Sequence, residues 1–509
     1  MVFPNTGFLA ALTLAQATLP LGVLAAPSSS TLQACAKIAA LLPSGRVHYP
    51  QNLVEYNAER SAYWSTASRA LEPACIVVPQ NAEHVSAAIM TLLRFPSVNF
   101  AVRSGGHDPN VEHASVQDDV LIAMTALAGV RYDAATGLAH VKPGGEWNDV
   151  IGELEKSGVA IAGGRLGLVG IAGLLLQGGL SFLSAQHGLA ADSIIGWETI
   201  AANGSIINID ATQHPDLTVA MRGSGSQFGI VTEFKVKARP IGKVWGGIRI
   251  YNASQETELY AALHKFVANG ASDPKAAIIH SSIVFSGIQS HVVFYFYDGP
   301  SPPTEGVLAE YLRISSTLDT TKARSYSDLL KSNGEPVAPL NARQSFRTYT
   351  LPFIPSNPAV YVLTRDKFTQ IAQPFLARTT SQFTVDFQPL PSAVGAHSEL
   401  AGGNAMGLRG GDPDRTILVL HGSWEFASDD DAGHAIAREV SEWLDAMVPE
   451  WLGQAGMNST GLYMPLFMND GAWDQNVTGS YGDYARFKAL QEQMDPQQVF
   501  AQRLGGFKY

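Results

Sequence analysis

The stretch Ala101-Val-Arg-Ser-Gly-Gly-His107 decides the reading of this chain. An apolar approach ends in Arg103, and a hydroxyl, two glycines and a histidine follow. Adjacent glycines let backbone N–H groups crowd around an anion with no Cβ in the way, and Arg103 brings positive charge to the same turn. His107 therefore stands beside whatever anionic group the turn holds. A tight loop with a capping histidine is the plain alternative for these seven residues taken alone.

A second array, Ala162-Gly-Gly-Arg-Leu-Gly-Leu-Val-Gly-Ile-Ala-Gly-Leu-Leu-Leu-Gln-Gly-Gly-Leu-Ser181, is so dense in glycine that it predicts neither a helix nor an ordinary strand. Its interleaved Leu, Val and Ile argue for buried backbone in close approach rather than a low-complexity loop. Downstream come His187-Gly-Leu-Ala-Ala-Asp-Ser-Ile194, the strand-like Trp197-Glu-Thr-Ile-Ala201 and the turn Asn203-Gly204. His214-Pro-Asp-Leu217 then leads to Arg222-Gly-Ser-Gly-Ser-Gln-Phe-Gly-Ile-Val-Thr232. In order and spacing, these pieces resemble the FAD-linked oxidoreductases of the vanillyl-alcohol oxidase or PCMH family, berberine-bridge-enzyme-like branch, of the kind found in fungal secondary metabolism. The resemblance runs from about Ala74 to Pro240 and returns in Tyr481-Gly-Asp-Tyr-Ala-Arg-Phe to Phe500.

Other chemistries fit poorly. Gly223-Ser-Gly225-Ser-Gln-Phe-Gly229 misses the dinucleotide-binding G-x-G-x-x-G spacing by one residue and precedes a strand, not a helix. No P-loop lysine follows either glycine array, and no G-x-S-x-G elbow exists. His107, Glu112 and His113 lack helix-face spacing and a further ligand, so no metal is expected. A net charge of −11 with no basic stripe argues against a nucleic-acid partner.

With 509 residues and 46% apolar composition, the chain can build two substantial cores. The expected class is α+β: a two-part PCMH-type FAD-binding domain, plus a substrate domain whose antiparallel sheet is covered by helices. The divisions read as 1–26 signal peptide, 27–72 N-terminal arm, 73–240 FAD-binding domain, 241–465 substrate domain and 466–509 returning segment. Helices are expected over Leu32–Leu42, Ala82–Phe95 (capped by Asn81), Trp147–Ser157 (stopped by Gly158), 360–377, 432–447 and the C-terminal segment ahead of Pro496. Strands are expected at Ala276–Phe285 and His291–Tyr297, joined at Gly287, and at Phe383–Phe387 and Thr416–Phe426. The acidic run Asp429-Asp-Asp-Ala432 reads as a dipole-matched helix start.

The apolar run 7–26, ending in small residues before Pro27, predicts secretion, although no Lys or Arg precedes it and a membrane anchor is the rival reading. After cleavage no spanning segment is expected. Cys35 and Cys75 are the only cysteines, and an oxidising route would join them. Asn203, Asn252, Asn458 and Asn476 begin glycosylation triplets.

The resemblance also implies roles. His107 becomes a covalent flavin ligand, and Arg103, Ser104, Gly105 and Gly106 a pyrophosphate cradle. Gly163, Gly164, Gly170 and Gly173 become close-approach backbone near the isoalloxazine, with Ile230 and Val231 near the adenine half and Asn469 beside the flavin. Relatives that carry a second, cysteinyl flavin bond place it where Leu166 stands here, so FAD should be attached once. Val169 falls at a position that gates oxygen. Asp470 stands where relatives often carry a catalytic tyrosine, and it reads equally as a base or as a turn residue before Gly471. The implied activity is an oxidase that takes a hydride from a small organic substrate (an alcohol, an amine or an activated C–H bond of a secondary metabolite) and passes electrons to O2, giving H2O2. A carbohydrate C1 oxidase is the nearest alternative, with Tyr295, Tyr297, Phe383 and Trp424 as conceivable sugar platforms, although alternating aromatics on strands are more often core. A flavin-binding cyclase or scaffold without redox turnover is the alternative of another class. Neither the substrate nor the oligomeric state can be read from the sequence.

Overall fold

A computed structural model describes residues 26–509, except Ser286, 336–340 and Ser459. The expected signal segment lies outside the described residues but for Ala26. Among the described residues, three sheets of four or more strands organise the chain, beside a two-stranded pairing of Val159–Ala160 with Arg239–Pro240. The first is small, ordered Val47–His48, Cys75–Val77, Val120–Ala123, Phe100–Arg103, and its last three strands run parallel. Helix Ser29–Leu41 and helix Ala82–Leu92 contribute to its core. The Asn81 side chain caps the second of these by accepting from the His84 N–H, and Val85, Ala88, Ile89 and Leu92 are buried, as the spacing predicts. Cys35 and Cys75 form a disulfide that closes a separation of 40 residues, a constraint of ~3–4 kcal/mol in the chain-entropy account.

The second sheet is antiparallel: Val130–Asp133, Leu138–Val141, Ile230–Lys237, Ile194–Ile200, Ile206–Asp210. The third is the largest, with nine strands, all antiparallel. At its centre run Val244–Asn252, Ile288–Tyr297, Ala276–Phe285, Ser381–Leu390 and Arg415–Trp424. The hairpin turns at Gly287, in the left-handed region at φ 77°. Helices Glu256–Asn269, Val360–Leu376 and Asp430–Gln454 pack on one face through Leu263, Phe368, Leu444 and their neighbours.

Two expectations need correction. The helix expected at 432–447 extends over Asp430–Gln454, through Pro449, because Val448, Trp451 and Leu452 remain buried in the core behind the sheet. The glycine-dense array does hold a helix, Ile171–Leu176, with Gly173 inside it; Ile171 and Leu175 are fully buried, and that burial outweighs the low helix propensity of glycine.

The C-terminal segment returns to the first sheet. Leu504 bridges Phe100 in parallel, and the Arg503 guanidinium donates to the carbonyls of Leu92, Phe95 and Val98. No helix among the described residues is long and apolar enough to cross a membrane.

Candidate active site

Side chains on adjacent strand positions point to opposite faces, and the nine-stranded sheet uses this fully. Along Ser381–Leu390, Phe383, Val385 and Phe387 enter the helix-backed core, while Gln382, Thr384, Asp386 and Gln388 line a cavity. Ser281, Phe294 and His421 from neighbouring strands line the same cavity. Tyr295, Phe383 and Trp424 lie on the far face, buried among the helices, with Tyr297 packed against them, so the conceivable sugar platforms do not face the cavity.

The opposite wall is the loop that follows strand Phe100–Arg103, at the C-terminal end of a parallel strand, where open α/β sheets receive ligands. The enclosed volume is about 440 Å³, within the range of cofactor and ligand pockets. Ser104, Gly105, Gly106 and His107 line it, as do Val169, Gly170 and Gly173 from the glycine array. Ile230, Val231, Asn469 and Asp470 also reach it.

Steric demand explains the crossing of the two glycine loops. A Cβ on Gly105 would lie 2.5 Å from the Gly170 Cα, and one on Gly170 would lie 2.4 Å from the Gly105 backbone nitrogen. The Ser104 hydroxyl fastens the crossing, donating to the Pro143 carbonyl and accepting from the Ala172 N–H at 3.2 Å. Asn469 ties the returning segment to the same array: its Oδ1 accepts from the Gly179 N–H at 2.9 Å, and its Nδ2 donates to the Leu174 carbonyl at 3.2 Å.

Three residues expected at the cofactor sit elsewhere. Arg103 is fully buried and turned from the cavity, ion-paired with Glu59 and set over the Tyr63 ring. Gly163 and Gly164 pack on Trp147, whose ring would lie 1.9 Å and 2.5 Å from a Cβ at each position, and neither lines the cavity.

His107 stacks on Trp64, with ring centroids 4.5 Å apart and an interplanar angle of 12°. Its Nε2 is buried with no hydrogen-bond partner among the described residues, and burial pushes the imidazole down to about 4. His421 is held down to about 4 by burial and by its proximity to His107, and its Nε2 meets the Gln344 amide oxygen at 2.9 Å. A cavity walled by closely crossed backbone, with a neutral, unpartnered ring nitrogen at its edge, fits a bound FAD.

Asp470 lies in the short turn Met468–Asp470, as the turn reading has it, and its residue also lines the cavity. Gln388 donates to its Oδ2 at 2.8 Å and accepts from the Arg165 guanidinium. Burial raises Asp470 to about 6. Asp386, which accepts from the Ser281 hydroxyl, is raised to about 7 by burial, and the charge of Asp470 adds to the shift. Asp386, Gln388, Arg165, Trp64 and His421 were not among the residues singled out by sequence. The alternation Gln382-Phe-Thr-Val-Asp-Phe-Gln388 carried the signal for two of them, since every second position of an otherwise apolar strand is polar.

A family model described as an FAD binding domain matches residues 73–210. An uncharacterised FAD-linked oxidoreductase of Arthroderma benhamiae is 34% identical over 90% of this chain and 91% of its own length. The FAD-dependent monooxygenase drtC of Aspergillus calidoustus is 29% identical over 94% and 90%. Among solved structures, xylooligosaccharide oxidase from Myceliophthora thermophila in complex with xylobiose superposes with a TM-score of 0.71 at 20% identity, covering 94% of this chain and 100% of that one. For 6-hydroxy-D-nicotine oxidase from Arthrobacter nicotinovorans the TM-score is 0.69 at 20% identity, covering 90% and 97%. With the cavity wall built from the Arg-Ser-Gly-Gly-His loop and the crossing glycine array, this chain belongs to the FAD-linked oxidoreductases and shares the fold of these solved oxidases.

Proposed function

We propose that this chain is an FAD-dependent oxidase that takes a hydride from a small alcohol, amine or activated C–H substrate and passes the electrons to dioxygen, releasing hydrogen peroxide. One observation carries the reading: a single cavity joins the FAD-loop wall, with His107, to a sheet face bearing Asp386 beside the turn bearing Asp470. FAD supplies the two-electron acceptor. Asp386, at about 7, is poised to take a substrate hydroxyl or amine proton near neutral pH. Asp470, at about 6 and held by Gln388, ionises first and sets the charge that Asp386 works against. Arg165 balances that charge from the array side.

In this reading His107 holds FAD through one covalent bond, since Leu166 offers no thiol for a second. The backbone of Ser104–His107 and Gly170 cradles the cofactor, flanked by Ile230, Val231 and Asn469. Val169 controls oxygen access. A structural neighbour supports a role for such a residue: Phl p 4 is described as a glucose dehydrogenase as wild type and as a glucose oxidase as an isoleucine-to-valine variant. Secretion is supported by the Cys35–Cys75 bond and by the exposure of Asn203, Asn252, Asn458 and Asn476.

The names of the curated relatives favour a second reading, in which an oxygen atom enters the product. A substrate panel under ¹⁸O₂ separates the two. Peroxide release with no label in the product supports the oxidase, and label in the product supports a monooxygenase. A flavin colour unchanged by any turned-over substrate under anaerobic conditions identifies the non-redox cyclase.

A further inference from the structure

We propose that Trp64 is a positioning residue for covalent flavin attachment, clamping the His107 ring in the orientation from which it bonds to the cofactor. The proposal rests on the reading of His107 as the attachment residue. Trp64 belongs to the N-terminal arm, outside the span matched by the FAD-binding family model, yet it supplies the nearly parallel ring 4.5 Å from the His107 imidazole. Among the described residues no hydrogen bond at Nε2 orients the histidine, so stacking is the contact that fixes its plane there.

Both sides of the cavity fix Trp64 in turn. Its backbone N–H donates to the Gly106 carbonyl at 2.9 Å. On the other side, the Thr66 N–H donates to the Ala342 carbonyl at 3.0 Å, and the Gln344 N–H donates to the Ser65 hydroxyl at 3.1 Å. Phe346 and His421 pack against the indole with centroids at 5.2 and 5.4 Å. Gly106 permits this approach: its φ is +66°, and a Cβ there would lie 2.3 Å from the Ala62 carbonyl oxygen.

Attachment would join an imidazole nitrogen of His107 to the flavin 8α-methyl carbon. One methyl C–H and one ring N–H would be lost as two protons, and dioxygen would carry off the electron pair with two protons as hydrogen peroxide. The nucleophile must be the neutral imidazole, which burial secures at neutral pH. The remaining requirement is orientation, which Trp64 provides.

The test compares holoenzymes of wild type, Trp64→Ala, Trp64→Phe and His107→Ala. Total FAD and thermal midpoint are measured first, then the fraction of flavin retained in the acid-precipitated pellet. Wild type should keep its flavin and His107→Ala should release it. Trp64→Ala should bind FAD yet retain about tenfold less after precipitation, and Trp64→Phe, which keeps a flat ring, should retain most. If Trp64→Ala does not fold, Trp64→Leu, which fills the space without a ring plane, carries the same expectation. Retention by Trp64→Ala or Trp64→Leu at the wild-type level, or release by Trp64→Phe, overturns the clamp and leaves attachment standing. Release by wild type overturns both.

Discussion

Gln388 holds Asp470 by a 2.8 Å hydrogen bond from its amide Nε2 to the carboxylate Oδ2, and its Oε1 takes the Arg165 guanidinium. One amide thus joins three chain segments at the cavity: a strand of the large sheet, the glycine array and the returning C-terminal segment. A bond to the ionised carboxylate favours that form, so Gln388 pulls Asp470 down against the upward push of burial. Gln388→Leu removes this donor. Asp470 should then keep its proton to higher pH and oppose Asp386 less, so the expected result is a lower pH for the acid limb of substrate turnover, with a loss of about 10- to 100-fold in kcat/KM, the worth of a charge-assisted hydrogen bond of ~1.5–3 kcal/mol. A pH–rate profile checks both, and an unshifted limb contradicts the assignment.

Asp386 makes a linked pair of predictions for activity and stability. Burial raises it to about 7, so the protonated form is the one favoured in the folded chain. Its stabilising contribution is complete below the ordinary carboxylate pKa and is lost as pH rises through about 7. Asp386→Asn, neutral throughout, should therefore gain stability relative to wild type as pH rises through that value. As a base Asp386 must be ionised, so wild-type flavin reduction should rise over the same window. The variant should lose the rise and fall by about 10²-fold or more. Urea titrations and anaerobic stopped-flow at several pH values measure the two effects.

The glycine crossing predicts a sharp penalty at one position. Gly170→Ala places a methyl 2.4 Å from the Gly105 backbone nitrogen, where no flexible side-chain end can yield. The variant should lose about 1–3 kcal/mol of stability and carry substoichiometric flavin. Gly173→Ala, which meets nothing within 4 Å, should fold normally in the same melting assay.

Val169 lines the cavity with its side chain partly buried against the core. Reduced wild-type enzyme should reoxidise readily in air. Val169→Leu should slow that step far more than flavin reduction, because a close-packed interior registers one methylene. Were Val169 ordinary core, the cost would be about 1–3 kcal/mol of stability with reoxidation untouched. Mixing reduced enzyme with oxygen in a stopped-flow instrument distinguishes the two.

The FAD-binding half was legible because glycine density has few physical uses. Gly105, Gly106 and Gly170 each stand where a side chain would strike backbone, and the order of the motifs carried the rest. Periodicity also found the strand Ala276–Phe285 and the helix capped by Asn81. Composition does not distinguish the two faces of a sheet. Tyr295 and Trp424 read by sequence as conceivable platforms but more often core, and the pleat places them in the core behind the sheet. Arg103 misled for a related reason: a basic residue beside two glycines suggests an anion, but its partner Glu59 lies 44 positions away and shows no local pattern. Trp64 reaches His107 across a similar separation, through the arm, by a contact that exists only in the folded chain.

Mass spectrometry of the tryptic peptide Ser104–Arg131 tests the account most directly. No Lys or Arg interrupts it, and both His107 and His113 lie within it. The account predicts that the peptide carries one flavin adduct, localised by fragmentation to His107, and that no other peptide carries any. An unmodified peptide with all FAD recovered free, or an adduct at any other residue, would contradict it.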